Sequence, residues 1–68
     1  MNAIKSLRLK KGLTQFELAK ELNLSQQAVA SWENGTRSPK TVMIPKLASI
    51  FGVPIEELFK EDNYERTD

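Results

Sequence analysis

Sixty-eight residues leave room for one domain, and a chain this short buries only about 60% of its unfolded surface, so stability is thin. Cysteine and histidine are both absent, which excludes disulfides, thiolate chemistry, the commonest metal ligand and the commonest general base near neutral pH. With 40% hydrophobic and 28% charged residues, no apolar run near the ~20 residues of a membrane helix and no signal-peptide pattern, the expectation is a small soluble intracellular binding module: not an enzyme, no cofactor, no membrane partner, no small-molecule substrate.

Taken in chain order, residues 2–11 place Ile4 and Leu7 at helical spacing, and Gly12 ends the segment. Thr14 followed three residues later by Glu17 forms a capping box that starts a second helix, whose apolar stripe is Leu18, Ala19 and Leu22. Asn23 tolerates the left-handed backbone of a sharp turn. Ser25 is a good N-cap for a third helix, which runs to Asn34 and stops at Gly35. Residues 36–40 form a polar loop. A fourth helix is suggested by Val42, Met43, Leu47, Ala48 and Ile50 or Phe51, with Pro45 in its first turn and Gly52 at its end. Pro54 suits the start of a short fifth helix over residues 55–60. No strand alternation is present, so the predicted fold is all-α, a compact bundle of five short helices over residues 1–60, with a polar acidic tail at 61–68.

Charge divides along the same line. Residues 1–55 carry eight Lys and Arg against three Glu, and residues 56–68 carry two basic against six acidic side chains. A basic body with an acidic end suits a protein that meets a polyanion with one surface.

The second and third helices, joined by a short turn, have helix-turn-helix spacing. Counting from Gln15, the small residue Ala19 is fifth, where the helices cross, and Asn23 is ninth, at the turn. Leu18, Leu22, Leu24, Val29 and Trp32 fall at inward positions. At ~100° per residue, Ala28, Val29 and Trp32 share one side of the third helix, and Gln26, Gln27, Ala30, Ser31 and Asn34 share the other. That outer side carries no formal charge. A solvated face in a protein this charged would carry Lys and Glu. Amides and small side chains are what a major groove accommodates, because glutamine bonds adenine bidentately and small residues approach thymine methyls. Gln26, Gln27, Ala30 and Ser31 are the candidate base-reading residues. The alternative is a neutral solvated face or a polar protein interface.

These segments resemble a Cro/repressor-type helix-turn-helix domain of the xenobiotic-response-element-like family. The resemblance spans residues 4–59 and rests on Leu7-Arg8-Leu9-Lys10-Lys11-Gly12-Leu13-Thr14-Gln15, Glu17-Leu18-Ala19, Ser25-Gln26-Gln27, Trp32-Glu33-Asn34-Gly35, Leu47-Ala48 and Phe51-Gly52-Val53. The doubled glutamine is similar to that of lambdoid phage repressors, which implies a lambda-repressor-like fold and base contacts from Gln26 and Gln27. The resemblance further implies that Gln15 bonds a phosphate and braces Gln26. It places Thr14, Asn34, Thr36, Arg37 and Lys40 on the DNA backbone and pairs Arg8 with Glu33. The sequence departs from the family with Asn23 where glycine is usual and Lys40 where a serine cap is common. Trp32 reads as core, and Phe16 as a partly exposed packing residue.

One recognition helix reads few base pairs, so relatives dimerise on two-fold operators. Val53, Ile55, Leu58 and Phe59, with Met43 or Phe51 beside them, either form that dimer surface or close the monomer's own core. The expected function is a cytoplasmic, nucleoid-associated transcriptional regulator that binds double-stranded DNA as a homodimer, most simply as a repressor. The alternative is a protein-interaction subunit, an antitoxin or co-regulator that uses residues 55–68.

Overall fold

The computed structural model describes residues 3–60. Among these the chain forms α1 (Ala3–Lys10), α2 (Gln15–Leu22), α3 (Gln26–Glu33), α4 (Met43–Phe51) and a 3-10 helix, Ile55–Phe59, with no strand. The expected bundle of five helices is therefore four α-helices and one 3-10 segment. Pro54 enters that segment in extended backbone and Lys60 leaves it extended, so five residues lie between two non-helical ends. That is too short for an α-helical hydrogen-bond ladder to propagate. The expected tail at 61–68 lies outside the described residues.

The sequence signals at the helix ends act as local chemistry requires. Thr14 Oγ1 accepts from the Glu17 N–H at 3.0 Å, and Glu17 Oε1 accepts from the Thr14 N–H at 2.8 Å. This capping box satisfies two donors that a helix start leaves open. Ser25 Oγ accepts from the Ala28 N–H at 3.3 Å and starts α3. Between them Asn23 takes the left-handed conformation, φ 62°, that glycine holds more cheaply. Its N–H bonds the Lys20 carbonyl at 3.1 Å and the Leu24 N–H bonds Ala19 at 2.9 Å, which closes the turn. α4 has no side-chain cap. The Lys40 carbonyl accepts from the Met43 N–H at 2.8 Å instead, so the backbone takes the place of the missing serine.

Ile4, Leu18, Val29, Leu47 and Leu58 are fully buried at the centre, with Leu22, Trp32, Ile44, Ala48 and Phe51 around them. Ala19 is buried where α2 packs on α3. The 3-10 helix packs on α1 and α4 and drives Leu58 into this core. Leu58 and Phe51 are thus closing residues of the monomer and leave the candidate dimer surface. One further position differs from expectation. Leu24 is 37% exposed, because it occupies the turn itself, where backbone hydrogen bonds close the corner. Phe16 is 59% exposed, on the outer side of α2. No helix among the described residues is long and apolar enough to cross a membrane.

Candidate nucleic-acid interface

The inner side of α3 carries Val29 and Trp32, both buried, and Ala28, half-buried. Burying this stripe leaves Gln26 and Gln27 exposed at the first turn, with Ala30 and Ser31 half-buried behind them. The Ser31 hydroxyl donates to the Ala28 carbonyl at 2.7 Å, a back-bond that spends its proton inside the helix. Ser31 therefore offers an outward ligand only lone pairs and a small surface. No partner within the described residues holds the Gln27 amide.

Gln26 is positioned by a chain of polar contacts that begins on α1. Arg8 Nε donates to Glu33 Oε2 at 2.6 Å, Nη2 to Glu33 Oε1 at 3.1 Å, and Nη1 to the Leu13 carbonyl at 2.8 Å. The two side chains are 9% and 5% exposed, so this two-pronged pair is desolvated and its geometry is fixed. Glu33 Oε1 also accepts from Gln15 Nε2 at 3.1 Å, and Gln15 Oε1 lies at 3.5 Å from Gln26 Nε2. Gln26 is thus tied through Gln15 and Glu33 to α1. Gln15 keeps a second amide proton, and it stands at the first position of α2, a helix start where a phosphate is favoured. The sequence pairs Arg8 with Glu33 and Gln15 with Gln26. It does not reveal that Glu33 serves both pairs, since that needs the ends of α2 and α3 in space.

After α3, Asn34 Oδ1 accepts from the Thr36 N–H at 2.9 Å and from the Thr36 hydroxyl. Asn34 keeps its amide donors, while the Thr36 hydroxyl proton is spent on the turn. The Arg37 N–H donates to the Ser31 carbonyl at 3.1 Å and fastens the loop to α3. Arg37 and Lys40 are exposed, and neither forms an ion pair among the described residues. Gln15, Gln26 and Gln27 thus gather at the N-terminal end of α3, whereas Asn34, Thr36 and Arg37 follow its C-terminal end. Lys40 stands in the loop beyond, next to α4.

At the other end of the chain, Ile55 and Phe59 border a shallow apolar groove with Pro39, Ile44 and Pro45. Phe59 is 60% exposed, and Val53 is half-buried.

The helix-turn-helix family model matches residues 4–58, from α1 into the 3-10 helix. The chain is 38% identical over 58 residues to the cryptic phage CTXphi transcriptional repressor RstR of Vibrio cholerae, across 85% of this chain and 52% of that protein. It therefore spans about half of that repressor's length. It is 40% identical over 58 residues to the uncharacterized HTH-type transcriptional regulator MJ0272 of Methanocaldococcus jannaschii, across 85% of this chain and 88% of that one. It is also 37% identical over 59 residues to the antitoxin PezA of Streptococcus pneumoniae, across 87% of this chain and 37% of the antitoxin. No solved structure matches the chain.

Proposed function

The chain belongs to the helix-turn-helix family of the Cro/repressor type, and from that premise we propose that it represses transcription by binding a two-fold DNA operator as a homodimer, with α3 in the major groove. The observation that carries this reading is the exposed, uncharged edge of Gln26 and Gln27, of which Gln26 is held by the contacts that run from Arg8. Each glutamine can bond adenine N6 and N7, and Ala30 and Ser31 are small enough to let the helix approach. Thr14, Gln15, Asn34 and Lys40 hold the sugar-phosphate backbone on either side and set the register, while Thr36 spends both its donors on the turn that carries Asn34. Base contacts from one short helix discriminate too few pairs, so a second copy supplies the other half-site. Ile55 and Phe59, with Val53 beside them, form the face on which the copies meet. Repression follows from occupying the promoter.

Selection from random duplexes tests this reading. The expected product is an inverted repeat whose half-sites are about one helical turn, ~34 Å, apart. Enrichment of no motif overturns it. Gln27→Ala abolishes preference at one base position, while Lys40→Ala weakens every sequence alike and lowers the salt slope by about one.

A second reading draws on the likeness to an antitoxin and on the exposed Ile55 and Phe59. In it the C-terminal end binds a protein partner and DNA binding is secondary. Ile55→Ser/Phe59→Ser, which leaves the buried Leu58 in place, then abolishes capture of that partner without lowering operator affinity, whereas the repressor reading gives no such partner to lose.

A further inference from the structure

A polar notch opens beside α3, lined by Ser25, Gln27, Ala28, Ser31 and Arg37. Ser25 caps the start of α3, Gln27 and Ser31 lie on its outer side with the half-buried Ala28 at its flank, and the fifth wall is contributed by the loop that follows. The loop is fastened at the level of Ser31, through the Arg37 N–H and the Ser31 carbonyl. Gln27 lies one turn, ~6 Å, closer to the helix start than Ser31. An arginine side chain spans that length, so from the level of Ser31 the Arg37 guanidinium has the reach to meet a base beside the one met by Gln27, with which it shares the notch.

The other groups in the notch do not compete for it. Ser25 Oγ accepts from the Ala28 N–H, and the Ser31 hydroxyl proton goes to the Ala28 carbonyl. Among the described residues Arg37 has no ion-pair partner. A guanidinium with five donors is thus left without an acid, on a residue that lines the same notch as the partnerless Gln27. Arg37 shares a wall with the residues placed over base edges. Building on the reading that α3 enters the major groove, we infer that Arg37 is a specificity-determining residue that bonds O6 and N7 of a guanine next to the base pair met by Gln27. Arginine on guanine is the commonest specific contact in that groove, because the fork matches both acceptors.

The test is random-duplex selection with the full chain and with Arg37→Ala and Arg37→Gln, followed by affinity measurements on the selected site. In the wild-type site one G·C pair per half-site depends on Arg37. Arg37→Ala lowers the preference for it about tenfold or more and leaves the other positions intact. Arg37→Gln moves the preference at that pair towards adenine. Placing 7-deazaguanine at the same position weakens the wild type and leaves Arg37→Ala unchanged. An Arg37→Ala motif identical to the wild-type one, with uniformly weaker binding, overturns the inference and leaves the repressor reading standing. A wild-type selection without any motif removes both.

Discussion

Helices α2 and α3 start on side-chain caps, Thr14 and Ser25, whereas α4 starts on backbone bonds alone and the 3-10 helix follows Pro54 without a side-chain cap. The outer surfaces of α3 and of the last two elements differ in the same sense. The outside of α3 is amide and hydroxyl, braced from beneath by the Arg8–Glu33 pair, while the outside of the last two elements carries Val42, Ile55 and Phe59 to solvent. One end of the molecule is finished within the monomer: its caps are filled and its buried charges paired. The other end is held inward by Ile44, Leu47, Phe51 and Leu58 and presents apolar surface that a second molecule would cover. The contrast separates a surface that must keep its shape before it meets DNA from one whose shape can be completed by contact.

The largest effect that should break this contrast comes from Arg8→Ala. It leaves the Glu33 carboxylate, 5% exposed, without its cation, and should cost about 3–5 kcal/mol in denaturant unfolding. A loss below about 1 kcal/mol, the range of an exposed pair, would mean that the brace is a surface contact. Leu58→Ala should cost about 2–5 kcal/mol, because the side chain is fully buried. A neutral result would detach the 3-10 helix from the core and return Leu58 to the candidate dimer face. Ser25→Ala removes the α3 cap and should cost about 0.5–2 kcal/mol, while Val42→Ala at the uncapped, exposed start of α4 should stay within about 0.5 kcal/mol. Equal losses would erase the difference between the two helix starts. Phe59→Ala should leave the melting temperature nearly unchanged and weaken self-association on the operator about tenfold, read by sedimentation with and without DNA. Unaltered association would move the dimer contact elsewhere.

Much of the first end is legible in the chain itself, because its signals are local. Thr14 and Glu17 stand three residues apart, Asn23 and Ser25 mark the turn, and the uncharged side of α3 emerges from a count of residues around one helix. The second end is harder to read. Five residues after Pro54 are too few to show a period, and whether Leu58 or Phe59 points inward depends on α1 and α4, which lie far away in sequence. Leu24 misleads for the same reason: an apolar residue at a turn is inward only if something packs over the corner. Glu33 shows the limit most clearly. Its sharing between Arg8 and Gln15 joins three helices, and no spacing within any one of them encodes it.

The most direct measurement compares wild type with Gln26→Ala/Gln27→Ala, each titrated onto the selected operator and onto a scrambled duplex at one salt concentration. The account predicts that the ratio of the two affinities collapses in the double variant, while its binding to scrambled DNA and its melting temperature stay as they are, since both side chains are exposed. A double variant that keeps the full ratio would contradict the claim that this side of α3 reads the operator.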